Sequence, residues 1–188
     1  FFIFDDQQIY LYQFLPISNI YHYLVRLNVM SILLIYYTRT GNTKFIAEKI
    51  SEKLNCEAEQ IIDLKKRSGL IGWLKSGYEA SLEKLTNIKE PEKDPGNFDL
   101  IIMGTPVWNK RISSAIRTYI SEMKEKNKTF NDVALFCTYG GRGADNVLSS
   151  LAELLEKEPK AKLDITRKEI KNNAYDQKLN SFIEQVSN

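Results

Sequence analysis

Three continuously apolar runs, Ser31–Tyr37, Leu100–Met103 and Val133–Thr138, constrain this chain more than anything else in it. A strand with apolar residues on both sides must be covered on both faces, which is the condition of a central strand in a parallel sheet. Helical spacing fills the intervals. Ile46, Ile50 and Leu54 form one stripe of Thr43–Leu54, and Ile112, Ala115, Ile116, Tyr119, Ile120 and Met123 form one stripe of Ile112–Met123. Ala144–Glu156 turns Val147, Leu148, Leu151, Leu154 and Leu155 inward, and Tyr175–Val186 closes the chain with Tyr175, Leu179, Phe182, Ile183 and Val186. Two further strand candidates are of another kind: Cys56–Leu64 is mixed and Ala161–Thr166 alternates strictly, so both are expected at edges. The chain is therefore predicted to be α/β, a three-layer α/β/α sandwich on a five-stranded parallel sheet of order 2-1-3-4-5, with right-handed crossovers. The strand order reverses between the first and third strands, and open sheets of this kind bind ligands there.

Charge and cysteine usage exclude several classes. The net charge is +2, and no Lys/Arg block stands apart from acidic neighbours, so nucleic acid is not an expected partner. Cys56 and Cys137 are far apart, with no CxxC or Cys/His cluster, which argues against a metal site and for a reducing, cytoplasmic setting. His22 is the only histidine and lies outside the periodic part, so no histidine-based catalysis is expected.

Residues 1–29 read differently from the rest. They are aromatic-rich and carry only Asp5, Asp6 and Arg26 as formal charges, and Met30 follows them directly. Gln7, Gln8, Gln13, Pro16, Ser18, Asn19 and His22 make the uncharged stretch too polar for a membrane span. The expectation is an extra N-terminal segment outside the functional domain, translated upstream of a start at Met30; a packing arm and a membrane anchor are the alternatives. The functional domain is expected over 30–188. Within it, Arg67–Leu85 is expected to be an amphipathic helix covering the sheet, or a flap that uses Trp73, and Lys89–Gly96 a surface connection.

Each central strand is followed by a turn rich in Thr, Gly or aromatic residues. The first holds Thr38, Arg39, Thr40, Gly41, Asn42 and Thr43 and runs into a helix. Hydroxyls, bare backbone and a helix N-terminus together suit a phosphate monoester. The Gly-Lys-Ser/Thr ending of a nucleotide triphosphate loop and the three glycines of a dinucleotide loop are both absent. A plain turn with threonine caps is the alternative. The second turn holds Thr105, Pro106, Val107, Trp108 and Asn109, and the third Thr138, Tyr139, Gly140, Gly141 and Gly143. Trp108 and Tyr139 can flank a planar ring, and the glycines admit close backbone approach. Trp108 as a core or interface residue is the competing reading.

Thr-x-Thr-Gly-Asn-Thr, Gly-Thr-Pro-Val-Trp and Phe-Cys-Thr-Tyr-Gly-Gly, in this order after successive strands, resemble the flavodoxin family over about residues 31–188. The resemblance implies a flavodoxin-like fold and non-covalently bound FMN. By position, Thr38 through Thr43 would hold the phosphate, and Thr105 through Asn109 and Thr138 through Gly143 would flank the isoalloxazine and ribityl chain. It further implies electron transfer between redox partner proteins. An FMN-dependent oxidoreductase taking a nicotinamide nucleotide and a small quinone is the alternative. Flavodoxins tend to be acidic. This chain has 26 basic against 24 acidic side chains, with Lys110, Arg111 and Arg142 beside the presumed flavin loops.

Overall fold

Leu33, Leu34 and Ile35 are wholly buried, as are Leu100 through Met103 and Ala134 through Cys137, so the apolar runs are covered on both faces. The computed structural model describes residues 30–65 and 84–187. Five parallel strands, β1 (Ile32–Tyr36), β2 (Glu57–Gln60), β3 (Leu100–Pro106), β4 (Asp132–Tyr139) and β5 (Lys162–Thr166), lie in the order β2-β1-β3-β4-β5. This is the order expected from strand composition, with the mixed and alternating strands at the edges. The segment 1–29 and residues 67–83 of the expected Arg67–Leu85 helix lie outside the described residues; Lys84 and Leu85 are non-helical.

Helices α1 (Asn42–Leu54), α2 (Ser114–Glu125), α3 (Ala144–Leu155), α4 (Arg167–Lys171) and α5 (Asp176–Ser187), with a short 3-10 turn at Pro95–Asn97, complete the described elements. Strand alternation divides the core in two. Leu33, Ile35, Ile101, Met103, Val133, Leu135 and Cys137 cluster with Ile116, Tyr119 and Ile120 of α2 and with Val147 and Leu151 of α3. The alternate residues, including Leu34, Ile102 and Phe136, meet the layer of α1 and α5, which bury Ile46, Ile50, Leu179, Phe182 and Val186. A T-shaped Phe45–Tyr175 pair at 5.5 Å ties the start of α5 to α1.

Several boundaries depart from expectation. β2 ends at Gln60 rather than Leu64, because its single neighbour β1 ends at the Tyr36–Gln60 rung. Asp63 instead makes an isolated antiparallel bridge to Ile88. β3 continues past Met103 to Pro106, since Thr105 and Pro106 still pair with Cys137 and Thr138 of β4. Pro106 sits on the last rung, where a missing N–H matters little. The helix expected from Ile112 starts at Ser114, because Ser113 is extended (φ −62°, ψ 143°). α4 has no counterpart in the helical periodicity. Its Thr166-x-x-Glu169 capping box starts it: Thr166 Oγ1 accepts from Glu169 N at 3.1 Å, and Glu169 Oε2 accepts from Thr166 N at 2.7 Å.

Candidate functional site

Parallel pairing brings the C-terminal ends of β1, β3, β4 and β5 to one rim, and a cleft opens there. From the turn after β1 it is lined by Arg39, Thr40, Asn42 and Thr43. The β3 exit adds Pro106, Val107 and Trp108, the β4 exit Thr138, Tyr139 and Gly140, and the β5 exit Arg167. All three expected turns thus converge. Thr38, Gly41, Thr105, Asn109, Gly141 and Gly143 belong to the same turns but do not line the cleft.

The first turn is held by its own backbone. Gly41 is left-handed (φ 90°), a conformation that favours glycine, and its N–H donates to Thr38 Oγ1 at 3.1 Å. Gly41 O accepts the first helical bond, from Phe45 N at 2.8 Å. No side chain caps α1. The threonines therefore do not serve as helix caps, and the amides of the first helical turn face the cleft end without a side-chain acceptor. With the helix dipole behind them they form a donor set suited to a phosphate dianion. Thr43, only 1% exposed, shares a 2.8 Å hydroxyl–hydroxyl bond with Thr138 and so locks the α1 start to β4.

The second turn is a tight reversal. Trp108 N donates to Arg111 O at 3.0 Å and Arg111 N to Trp108 O at 2.9 Å, with Asn109 and Lys110 both at positive φ (46° and 61°). Two left-handed residues between a reciprocal pair define a type I′ turn, which Asn suits and Lys does not. Val107 N donates to Thr138 O at 2.9 Å and fastens this turn to β4. Trp108 is a core residue, as its competing reading expects, and it also reaches the cleft. It stands beside Tyr37, edge-on at 5.5 Å and 88°. Thr105 is fully buried, and its hydroxyl donates inward to Ser113 Oγ at 3.0 Å.

Tyr139 is held from the neighbouring strand: its hydroxyl donates to Asp164 Oδ2 at 2.8 Å. Burial, then Asp164, push the phenol well above its ordinary pKa, so it remains a donor. Lys178 of α5 reaches the same Asp164 Oδ2 at 3.1 Å and Glu169 Oε1 at 3.1 Å. Burial alone would raise the Glu169 carboxyl, but the hydrogen bonds from Thr166 and Lys178 hold it below the usual range. The Cys137 thiol is pushed upward by burial and then by Asp164, so it is no nucleophile.

Many surface cations are paired, though Lys53, Lys157, Lys168 and Lys171 have no carboxylate within ion-pair range among the described residues. Lys124, Lys126, Lys128 and Lys160 each pair with a carboxylate. Among the described residues, Arg39 and Arg167 in the cleft, and Lys110 and Arg142 on the adjoining turns, have no carboxylate within ion-pair range. Uncompensated positive charge over a concave surface focuses potential toward anions. Arg167 was not among the expected site residues because Ala161–Thr166 reads as an edge strand with no glycine-rich exit. The Thr-x-x-Glu capping signature was the available signal.

No cluster of His, Cys, Asp and Glu among the described residues could hold a metal ion, and no described helix is long and apolar enough to cross a membrane. The family described as NADPH-dependent FMN reductase matches residues 30–163. The crystal structure of a flavoprotein in complex with FMN from Lactobacillus acidophilus NCFM is 23% identical. It covers 78% of this chain and 99% of that one, with a TM-score of 0.60. The solution structure of two-electron reduced flavodoxin from Megasphaera elsdenii is 16% identical and covers 82% of this chain and 96% of that one, with a TM-score of 0.53. These two likenesses are of fold. No curated protein sequence gives a significant match.

Proposed function

Because this chain belongs to the NADPH-dependent FMN reductase family, we propose that it is an FMN-dependent oxidoreductase, taking electrons from a reduced nicotinamide nucleotide and delivering them to a small acceptor such as a quinone. FMN is the cofactor, and when bound it supplies the one- and two-electron chemistry. The observation that carries the reading is the uncapped start of α1 opening on a cleft whose cations have no carboxylate partners among the described residues.

The roles divide by loop. Thr40, Asn42 and Thr43, with the first amides of α1, would hold the phosphate. Trp108 and Tyr139 would wall the ring, Trp108 held in place by the core and Tyr139 by Asp164. Pro106, Val107 and Gly140 would complete the lining close to backbone. The protein's contribution is binding, orientation and exclusion of water; no nucleophile–base pair is required.

An electron carrier is the other member of this functional class. The unpaired rim charges support the oxidoreductase, since both nicotinamide dinucleotides are anionic. The test is direct. Purified yellow protein mixed anaerobically with NADPH or NADH should lose its visible flavin absorbance within seconds and regain it when a quinone is added. A protein inert to both nucleotides is a carrier, and the proposal is then overturned.

The rim charges also set an expected potential. Positive charge near the ring favours the more negative reduced flavin. Lys110→Glu and Arg142→Glu should each lower the midpoint potential by about 20 mV, from roughly 1 kcal/mol of exposed charge interaction and about 30 mV per 1.4 kcal/mol for a two-electron couple. Potentiometric titration reads this, and two unmoved potentials would remove the electrostatic role.

A further inference from the structure

We propose that Arg167, acting with Arg39, clamps the phosphate monoester of the cofactor, so that the exit of β5 supplies a fourth wall to a site otherwise built from three turns. The inference rests on the reading of this cleft as the FMN site and adds a residue to it.

Three observations support it. Arg167 and Arg39 line the same cleft as Thr40, Asn42 and Thr43 of the α1 start. A guanidinium presents a planar fork of donors that matches phosphate oxygens, and two such forks can share a dianion. Second, Arg167 has no carboxylate partner among the described residues, although Asp164 and Glu169 flank it closely in sequence.

The third observation explains the second. Both acids are already occupied. Asp164 accepts from the Tyr139 hydroxyl at 2.8 Å and from Lys178 at 3.1 Å. Glu169 accepts from Thr166 N at 2.7 Å and Thr166 Oγ1 at 2.6 Å, and pairs with Lys178 at 3.1 Å. Lys178, reaching over from α5, thus engages both carboxylates that would otherwise capture Arg167 and offsets half of their charge. It acts as a positioning residue, through charge rather than by touching the ligand. The capping box fixes Thr166, and with it the point at which Arg167 leaves β5.

Riboflavin separates phosphate recognition from ring recognition, because it carries the same ring and ribityl chain without the phosphate. The full chain, stripped of flavin, is titrated with FMN and with riboflavin, and quenching of flavin fluorescence is followed. Arg167→Ala should weaken FMN about 10-fold, as expected for a charge-assisted hydrogen bond at a partly open site. Riboflavin affinity should stay within about twofold. Arg167→Lys should recover part of the loss. Lys178→Met should also weaken FMN selectively, because Asp164 and Glu169 then compete for Arg167. An unchanged FMN constant in Arg167→Ala overturns the clamp, and so does an equal loss for both flavins, which would make Arg167 a support of the ring or the loop. An unchanged FMN constant in Lys178→Met overturns the positioning role of Lys178. If the unaltered chain binds neither flavin, the FMN reading itself fails, an outcome distinct from all of these.

Discussion

Gly104→Ala is expected to destabilise the domain by about 3 kcal/mol, a large share of a typical domain's stability. Gly104 sits in the middle of the sheet, directly opposite Phe136 on β4. The Phe136 ring covers the place where a side chain would stand: a Cβ on Gly104 would meet its Cζ at 2.1 Å and its Cε1 at 2.2 Å. Phe136 is fully buried and has no outward route of retreat. The remaining response is to part β3 from β4, which breaks ladder bonds and the Val107–Thr138 bond that fastens the second turn. Urea unfolding of the variant reads the cost. Phe136→Leu in the same chain removes part of the obstruction, so the double variant should be more stable than the sum of the two single losses. A Gly104→Ala protein within about 0.5 kcal/mol of the unaltered chain would show that the strands are not held as described.

The second large effect falls on the site rather than the core. Gly143→Ala should weaken FMN binding roughly 10-fold or more, since about 1.4 kcal/mol of misplacement is tenfold in affinity. Gly143 is left-handed (φ 96°), and a Cβ there would come within 2.8 Å of the Cα, Cβ and Cγ of Lys110. The third turn therefore rests on the backbone of the second, at the residue whose own φ of 61° is strained for lysine. Gly41→Ala is the control. Its φ is nearly the same, 90°, but nothing lies within 4 Å of the new Cβ. That change should cost only the backbone term, about 1–2 kcal/mol of stability. Gly143→Ala should cost more by the amount of the collision. Lys110→Gly should rescue Gly143→Ala only in part, because the added methyl would still press on the main chain of residue 110. Equal stability losses at 41 and 143 would mean that the two turns are not packed together.

Much of the fold was legible because burial leaves a mark on composition. A strand covered on both faces must be apolar at every position, and an edge strand need not be. The runs at 31–37, 100–103 and 133–138 therefore announced their central places, and the alternation at 161–166 its edge. The turn motifs marked the strand exits that the structure brings to one cleft, because phosphate-suited donors and bare backbone call for Thr and Gly whatever surrounds them.

Other features depend on neighbours distant in the chain. β2 stops at Gln60 because β1 stops at Tyr36, and β3 runs on to Pro106 because β4 is there to receive it. The direction of the Thr105 hydroxyl depends on Ser113. Arg167 belongs to the cleft because β5 lies beside β4 and because Lys178, from helix α5, occupies its two competing acids. Local chemistry, set by each residue and its near neighbours, was determined by the sequence by itself: which segments are strands, which are central, and which turns carry hydroxyls and bare backbone. Which side chains face one another across the rim was decided by the tertiary structure, because charge pairing and close packing act through space between segments that the order of residues does not place side by side.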